Sequence, residues 1–214
     1  MRPVDGISAR NEQAQSKVGN FSPDSPLFFG KVKYRILILC QNRTNRKSGD
    51  MDLEFKEIEE QDFPAIKEIY DWYIEHSTAT FHTEPIRIEQ LKEFIFVNHP
   101  VYQSFMIHCD HQPAGYCFLT YYKNRQAYDR TAEVTIYLKA EYCGKGIGKV
   151  AMTYLEKIAD DRGLKNLIGI ISGDNEGSIS LFEKSGYSKC AHFKNVGEKF
   201  NKVLDVVAFQ KEIG

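Results

Sequence analysis

The pattern of hydrophobic and polar positions predicts alternating strands and helices from residue 51 onward. In seven short segments, apolar residues either alternate with polar ones or run on without interruption, which is typical of strands. In four longer segments, apolar residues recur at spacings of three and four, which is typical of helices with one buried face. Strands are therefore predicted at residues 52–58, 103–109, 114–122, 131–138, 166–171, 188–193 and 203–211, and helices at residues 63–74, 88–95, 150–162 and 176–185.

Local signals mark the ends of these elements. Asp62 is expected to cap the first helix, with Pro64 tolerated in its first turn, and Gly163 and Gly186 are expected to end the last two helices. Residues 77–85 are expected to form a loop. The resulting order, β-α-α-β-β-β-α-β-α-β-β, predicts a mixed sheet of the α+β class, in which a ligand cleft opens where neighbouring strands part.

A glycine-rich segment, CGKGIGK at residues 143–149, joins a predicted strand to a predicted helix. Gly144, Gly146 and Gly148 let the backbone approach a ligand closely, and the first amides of the helix favour an anion such as a phosphate. The spacing fits neither a Walker A loop, which needs Ser or Thr after Lys149, nor a dinucleotide fingerprint, which needs glycine in place of Lys149. A glycine-rich connection without any ligand stays open.

Charge divides the chain near Met51. Residues 1–50 carry nine Lys or Arg against four Asp or Glu, whereas residues 51–214 carry nineteen against twenty-five, within a net charge of −1. The first segment is also rich in Ser, Asn, Gln, Gly and Pro. We therefore predict a disordered or non-native extension at residues 1–50 and one domain at residues 51–214, which the 42% hydrophobic content suits.

The composition limits the binding partners and the cellular compartment that can be expected for this protein. The apolar run at residues 36–40 is too short to span a membrane, and no convincing signal peptide is present. The basic segment has neither interleaved aromatic residues nor a dense Lys/Arg block, so we expect no nucleic-acid partner. Five widely spaced cysteines argue for reduced thiols, and six unclustered histidines argue against a metal site. We therefore expect a soluble, cytoplasmic protein.

Five strings in the domain carry a resemblance to a known family. They are FHTEP at residues 81–85, KNRQAYDRTAEVTIYL at 123–138, GKGIG at 144–148, NEGSISLFEKSGY at 175–187 and DVVAFQ at 205–210. Together with the order of elements, they resemble the GNAT N-acetyltransferase superfamily and, within it, the phosphinothricin and methionine sulfoximine acetyltransferases. The resemblance covers essentially all of residues 51–214.

This resemblance implies a fold, a reaction and an assembly. The GNAT fold has a central, mostly antiparallel mixed sheet of about seven strands flanked by about four helices. The implied reaction transfers acetyl from acetyl-CoA, as co-substrate, to the α-amino group of a small amino acid such as phosphinothricin, methionine sulfoximine or methionine sulfone. Relatives in this branch are dimers that build part of the pocket across the interface, so a homodimer is implied. Transfer to a protein N-terminus or a polyamine, or acetyl-CoA binding without transfer, stays open.

Glu133 is the candidate catalytic base. Acetyl transfer needs a neutral amine, so some group must take the proton of the ammonium. Glu133 stands between Ala132 and Val134, an apolar setting that can raise the pKa of a carboxyl group. The residues alone fit a solvated carboxylate at a strand edge equally well. The resemblance is what implies that Glu133 is a base, acting directly or through water.

The resemblance also implies how acetyl-CoA binds. The residues assigned to it are Ile136, Tyr137 and Leu138 on the strand, through their backbone, Cys143, Gly144, Lys145, Gly146, Ile147 and Gly148 in the turn, and Asn175 and Ser178 at the start of the last helix. Lys149 is a further candidate for charge beside the pyrophosphate. Asn175 capping the helix is equally compatible with the sequence. Cys143 departs from relatives, which commonly have Gln or Arg there, and so lacks a side-chain donor.

Four residues are the candidates for binding the acceptor, by position in the resemblance: Phe81, Lys123, Arg125 and Tyr128. A guanidinium can bind a carboxylate or phosphinate through two parallel hydrogen bonds, which an ammonium cannot do. The alternatives are a surface salt bridge for Arg125 and core packing for Phe81 and Tyr128.

The general acid of many superfamily members is missing. A tyrosine on the last helix protonates the departing thiolate in those proteins, and the matching position here is Phe182. Coenzyme A must therefore leave as the thiolate, which an ordinary thiol pKa of about 8.5 permits at neutral pH, or another group such as Tyr187 must act.

Overall fold

The structure is a computed structural model that describes the backbone of Tyr34–Ile38 and all of residues 51–214. Residues 1–33 and 39–50 lie outside the description, and so does most of the segment for which a disordered or non-native extension is predicted. Within that segment, Tyr34–Ile38 forms a strand, β1, that pairs antiparallel with the first strand of the domain.

One mixed sheet of eight strands contains every strand described. The strands are β1 (Tyr34–Ile38), β2 (Met51–Glu57), β3 (Ser104–Cys109), β4 (Gln112–Tyr121), β5 (Thr131–Leu138), β6 (Asn166–Ser172), β7 (Ser188–Lys199) and β8 (Lys202–Glu212). Their order across the sheet is β1-β2-β3-β4-β5-β6-β8-β7, and every neighbouring pair is antiparallel except β5 and β6. The seven strands predicted for the domain are confirmed as β2 to β8.

Four α-helices flank the sheet, as predicted: α1 (Phe63–His76), α2 (Ile88–Leu91), α3 (Ile147–Asp161) and α4 (Glu176–Lys184). The second helix is shorter than expected, because the chain continues after Leu91 in turns that still bury Ile95. The prediction that the Asp62 side chain caps α1 is wrong. It accepts a hydrogen bond from the backbone N–H of Glu59 at 2.8 Å and so closes the short turn before the helix.

The last two strands form a longer hairpin than the hydrophobic pattern predicts. β7 continues to Lys199, and β8 begins at Lys202. Phe200 and Asn201 join them with φ angles of 54° and 58°, a left-handed pair that suits a two-residue hairpin turn. The outer half of β7 is largely exposed, so it lacks the alternation by which a half-buried strand is recognised.

Two buried clusters cover the two faces of the sheet. Successive residues of β4 alternate between them, because side chains of a strand point to opposite faces in turn. Cys117 and Leu119 pack with α3 and Phe182 of α4, whereas Tyr116 and Phe118 pack with α1 and α2. The helices therefore hold β4 and β5 in the middle of the protein.

Other features of the described residues bear on the compartment and on metals. No described helix is long and apolar enough to cross a membrane. Cys109, Cys117, Cys143 and Cys190 are free thiols, and Cys40 lies outside the description. Within residues 51–214, no three His, Cys, Asp or Glu side chains come together in a way that could hold a metal ion.

Candidate active site

The central feature of the site is a fork between β5 and β6. The two strands pair only through Thr131, Ala132 and Glu133, which face residues 166–168 of β6. Beyond that point β5 stays paired with β4, and β6 stays paired with β8. The gap between residues 134–138 of β5 and residues 169–172 of β6 is called the fork below. A cleft opens there, where a parting of neighbouring strands is expected to place one.

Strand register decides which backbone groups face the fork. In an antiparallel pair, successive residues point their N–H and C=O groups alternately toward and away from the partner strand. Leu138 is opposite Gly115, and the N–H of Lys139 donates to the carbonyl of Ala114 at 2.9 Å, so the odd-numbered residues of β5 face β4. The backbone of Ile136 and Leu138 therefore points into the fork.

This alternation distinguishes the three β5 residues of the predicted cofactor set. The N–H and C=O of Tyr137 point to β4, opposite Tyr116, and a ligand in the fork cannot reach them. The carbonyl of Leu138 already accepts a hydrogen bond of 2.6 Å from the hydroxyl of Tyr73 on α1. Ile136 is thus the residue best placed to offer both its N–H and its C=O to a ligand.

Glu133 is the last paired residue before the fork. It lies opposite Thr120 of β4 and Ile168 of β6. Burial raises the pKa of Glu133 to about 7, and the ammonium of Lys123 acts in the opposite direction. The shift agrees with the apolar setting predicted from the sequence. A carboxyl group with this pKa exchanges protons readily at neutral pH, as a general base must.

Thr120 is a neighbour that the sequence did not single out. It is directly across from Glu133 in the strand register, so the two side chains lie on the same face of the sheet. Its side chain is buried, and its hydroxyl has no hydrogen-bond partner among the residues described. A buried hydroxyl beside a carboxyl group can hold a water molecule or a ligand amine.

The glycine turn, residues 143–148, follows β5 through the short turn Ala140–Tyr142. Gly144 and Gly146 have φ angles of 73° and 87°, which other residues rarely adopt, and a Cβ atom at either would meet nothing within 4 Å. Gly146 is the N-cap of α3, so the N–H groups of Gly146, Ile147 and Gly148 have no acceptor within the helix. The predicted anion-binding geometry is present.

Three other residues of this region differ from what was expected. The N–H of Cys143 donates to the carbonyl of Ala140 at 3.2 Å, so it is already used. The ammonium of Lys149 donates to the carbonyl of Lys184 at the end of α4, at 3.2 Å, and not into the turn. Lys145 lies over the ring of Tyr142, 5.4 Å from its centroid. The main chain of the turn therefore offers N–H groups to an anion, and a part for the Lys145 ammonium stays a prediction.

The start of α4 lies at the other side of the fork. The Asn175 side chain accepts a hydrogen bond of 3.0 Å from the N–H of Ser178, so Asn175 is the N-cap of the helix. The capping role that the sequence left open is thus present. It occupies the amide oxygen of Asn175 and leaves its NH2 group for a ligand.

Phe182 packs inside the domain and offers no proton. A Cβ atom at Gly169 of β6 would lie 2.1 Å from the Phe182 ring, so the ring covers the strand there. Tyr187, the alternative acid, packs edge-on against the ring of Phe182. Burial and the nearby Glu156 raise the pKa of Tyr187, so its proton is held tightly at neutral pH.

The predicted acceptor residues lie in two exposed segments. Lys123, Arg125 and Tyr128 belong to the β4–β5 connection, which ends at Thr131 beside Glu133, and only Lys123 acts on the pKa of Glu133. Within residues 51–214, Arg125 has no ion pair or side-chain hydrogen bond. Tyr128 and Phe81 are 39% and 44% exposed, so neither is packed in the core.

The 77–85 loop, which carries Phe81, is held from several sides. The hydroxyl of Thr78 donates to Asp174 at 2.8 Å, and the hydroxyl of Tyr70 lies 2.7 Å from that of Thr80. Lys199 of β7 binds the carbonyls of Ser77 and Thr80. The contacts with Asp174 and Lys199 could not be predicted, because they join residues that are far apart in the sequence.

A separate depression of about 270 Å³ lies between α1 and the segment after β5. Its lining includes Trp72, Tyr73, Lys139 and Ala140. It contains neither Glu133 nor any of the predicted acceptor residues, so the chemistry argued from Glu133 belongs to the fork and not to this depression.

Comparison with known proteins decides the family. The model of the Acetyltransferase (GNAT) family matches residues 66–187, more than half of the chain. The chain belongs to the GNAT acetyltransferase family. The matched span contains the fork, Glu133, the glycine turn and α4, so this N-acetyltransferase has its candidate site inside the part that the family shares.

Individual relatives agree on the fold and differ in the acceptor named for them. YwnH of Bacillus subtilis (strain 168), to which a phosphinothricin acetyltransferase activity is provisionally assigned, is 32% identical over 158 residues, which cover 72% of this chain and 96% of YwnH. A GNAT superfamily phosphinothricin acetyltransferase from Sinorhizobium meliloti, in complex with acetyl-CoA, matches with a TM-score of 0.70 and 25% identity over 75% of this chain and 88% of that one. A ribosomal-protein-alanine N-acetyltransferase from Brucella melitensis matches with a TM-score of 0.68 and 26% identity over 74% and 99%. The predicted GNAT fold is confirmed.

The raised pKa of Glu133 predicts a pH-dependent effect on stability. The folded protein favours the protonated carboxyl, so this favourable contribution is fully present below about pH 4.5 and is lost as the pH rises through about 7. Glu133→Gln does not titrate there. Urea unfolding should therefore show the stability of Glu133→Gln, relative to the unmodified protein, rising by about 2 kcal/mol between pH 5 and pH 8. A difference that stays constant over this range would contradict the raised pKa.

Proposed function

We propose that this protein is an acetyl-CoA-dependent N-acetyltransferase that acts on the α-amino group of a small amino acid such as phosphinothricin, methionine sulfoximine or methionine sulfone. The observation that carries the proposal is the position of Glu133, with a pKa of about 7, at the branch of the fork. Family membership supports the reaction, and the names of the relatives support the acceptor class.

The donor side of the site fits a thioester with a diphosphate tail. The unpaired N–H groups of Gly146, Ile147 and Gly148 suit the diphosphate, and the positive end of the α3 dipole adds to its binding. The N–H and C=O of Ile136 suit the amide groups of the pantetheine arm. Bound acetyl-CoA supplies the acyl carbon that the amine attacks.

Glu133 would take the proton that the amine must lose. The acceptor's ammonium gives this proton to Glu133, directly or through a water molecule held beside Thr120. The neutral nitrogen then forms a bond to the acyl carbon, the carbon–sulfur bond breaks, and the nitrogen loses a second proton to water to give the amide. Because Phe182 has no hydroxyl, the sulfur leaves as the thiolate and needs no acid at neutral pH.

The acceptor's acidic end is assigned to the β4–β5 connection. Arg125 has no ion-pair partner among the described residues, and its guanidinium can bind a carboxylate or phosphinate with two parallel hydrogen bonds. Lys123 adds positive charge close to Glu133. Phe81 and Tyr128, both partly exposed, would form apolar walls of the acceptor pocket.

A second candidate is transfer to a protein N-terminus. The ribosomal-protein-alanine N-acetyltransferase of Brucella melitensis favours this reaction, because it is 26% identical to this chain. The phosphinothricin relatives, at 25% and 32%, are similarly close. Arg125 favours the amino-acid acceptor, because its guanidinium is exposed and suits an acidic ligand. A cytoplasmic setting is proposed for either reaction, and the free thiols support it.

An acceptor screen tests the proposal. The protein is mixed with acetyl-CoA and phosphinothricin, methionine sulfoximine, methionine sulfone, an Ala-starting peptide or spermidine, and release of free thiol is measured. Turnover is expected with at least one of the three amino acids, and Glu133→Gln should lower kcat by about 100-fold or more, because the base is lost.

Glu156→Gln is the matched control for this substitution. Glu156 lies on α3, pairs with Lys211 at 2.8 Å and has no part in the proposed chemistry, so turnover should stay unchanged. Turnover with the peptide or the polyamine alone would overturn the proposed acceptor. Binding of coenzyme A without turnover of any acceptor would indicate a binding module.

Arg125 should set the affinity for the acceptor. Arg125→Lys keeps the charge but loses the two-point contact, so the KM for the amino acid should rise about tenfold while the KM for acetyl-CoA stays the same. Arg87→Lys, at an exposed position before α2, is the control and should change neither constant. Equal effects of the two substitutions would remove Arg125 from the acceptor site.

We also propose a homodimer that uses the β7–β8 hairpin. Of the seven large apolar side chains that are exposed in the described part of the chain, four lie on this hairpin: Phe193, Val196, Phe200 and Val203. Such a concentration of apolar surface is typical of a contact with another protein. The hairpin also reaches the 77–85 loop, so a dimer formed here would lie close to the proposed acceptor pocket.

Sedimentation tests this assembly. Val203→Lys introduces a charge opposite Glu198 in the hairpin, where the fold tolerates it. The mass of the main species should therefore fall from dimer to monomer at micromolar concentration, with the unfolding temperature little changed. Trp72→Lys, a similarly exposed site on α1, should leave the mass unaltered. A monomer before any substitution would refute the proposal.

A further inference from the structure

Lys199 is a buried cation at the end of β7. Its side chain is almost fully buried, with 4% of the residue exposed. Its ammonium donates to the carbonyl of Ser77 at 2.6 Å and to that of Thr80 at 2.9 Å, and it lies 3.4 Å from the carbonyl of Tyr73. These carbonyls belong to the last turn of α1 and to the start of the 77–85 loop.

The contacts of Lys199 are unusual for a buried charge. Among the described residues, no carboxylate forms an ion pair with it, and burial lowers the pKa of its ammonium. Burying a charge without an opposite charge is unfavourable, so the ammonium depends on these carbonyls as acceptors. The carbonyls of Ser77 and Thr80 in turn lose this donor if the ammonium is removed, so Lys199 ties the end of α1 to the start of the 77–85 loop.

A second set of contacts holds the same loop from the other side of the fork. Asp174 accepts hydrogen bonds from Thr78 at 2.8 Å, from Ser172 at 2.6 Å and from Lys202 at 2.7 Å. Burial alone would raise the pKa of Asp174, but these donors lower it to about 2, so the carboxylate stays ionised. The 77–85 loop is thus tied both to the β7–β8 hairpin and to the segment that begins α4.

Phe81 is the residue whose position these contacts determine. It follows Thr80 directly, and Thr80 is held through its carbonyl by Lys199 and through its hydroxyl by Tyr70. The Phe81 ring lies beside Gly197 of β7, where an added Cβ atom would come within 4.0 Å of it. β7 therefore both anchors the loop and supports the ring that is proposed to wall the acceptor pocket.

We infer that Lys199 is a positioning residue for the acceptor side of the site, because its ammonium fixes the start of the 77–85 loop and with it Phe81. The inference rests on the proposed function, since it assumes that Phe81 borders the acceptor. It concerns only the acceptor. The glycine turn and Ile136, which are assigned to acetyl-CoA, belong to other segments and do not contact Lys199.

The test replaces the ammonium by a side chain of similar length without charge. Lys199→Met should raise the KM for the amino-acid acceptor about tenfold, because the loop no longer holds Phe81 in one place. The KM for acetyl-CoA should stay within about twofold. Hydrogen exchange of the backbone amides in residues 78–84 should become faster, while exchange in α3 stays unchanged.

Lys211→Met is the matched control. Lys211 is also a partly buried lysine whose ammonium binds a helix-end carbonyl, that of Ser185 at 2.9 Å, together with Glu156. Lys211 belongs to β8, and its ammonium lies beside the end of α4 without any contact with the 77–85 loop. A general loss of stability would affect both variants alike, whereas a positioning role predicts the change in acceptor KM and in loop exchange for Lys199→Met alone.

Lys199→Gln gives a second variant in case Lys199→Met does not fold. It is neutral, keeps a donor, and should restore part of the acceptor affinity if it reaches one of the carbonyls. The inference is overturned if the acceptor KM is unchanged, or if it rises together with the KM for acetyl-CoA. If the unmodified protein acetylates no amino acid, the proposed acceptor fails. Hydrogen exchange in the 77–85 loop would still test the inference in that case. If it is equally fast in Lys199→Met and Lys211→Met, Lys199 does not hold the loop.

Discussion

The site depends on the limited pairing between β5 and β6. Three residues of β5 are paired, and then each strand stays with its outer neighbour, β5 with β4 and β6 with β8 over its full length. Buried backbone N–H and C=O groups need hydrogen-bond partners. Where the strands have parted, the groups of Ile136 that face the fork can find them in a ligand with amide groups. The fork is thus an edge inside a sheet, and its main-chain geometry suits the extended amide chain that is proposed to bind there.

The same parting sets the properties of Glu133. Because Glu133 is the last paired residue, it is enclosed by β4 and β6 on its two sides and still adjoins the open part of the fork. Enclosure raises its pKa to about 7, and the opening beside it would give an amine the access that the proposed base role requires. One residue earlier or later, the carboxyl would lie on the opposite face of the sheet.

Much of the fold could be predicted from the sequence, because strands, helices and the glycine turn leave local patterns. The seven strands of the domain, the four helices and the glycine turn between β5 and α3 belong to this class. The direction of the Tyr137 backbone could not be predicted, since it depends on the register with β4, which a single strand does not encode. The prediction that Asp62 caps α1 was wrong, because its side chain accepts a hydrogen bond from Glu59 and closes the turn before the helix.

Contacts between segments that are far apart in the sequence could not be predicted, because they leave no local pattern. Lys199 and Ser77 are separated by 122 positions, and no periodicity connects them. A buried lysine resembles any exposed lysine in the sequence, and only the fold reveals that its ammonium meets carbonyl groups. The outer half of β7 was likewise missed, although it brings both Lys199 and Gly197 to the 77–85 loop.

The β7–β8 hairpin therefore connects the proposed dimer contact with the position of the 77–85 loop. The last residue of β7 before the turn is Lys199, which holds the loop of Phe81, and the hairpin also carries exposed apolar side chains at Phe193 and Val203. A partner that covers those side chains would restrict the motion of β7, and through Lys199 the motion of the loop. Association and acceptor affinity would then be coupled through one strand, and the size of the coupling would depend on how firmly the ammonium holds the carbonyls of Ser77 and Thr80. Acetyl-CoA binding would stay outside this coupling, because Ile136 and the glycine turn are held by β4 and α3.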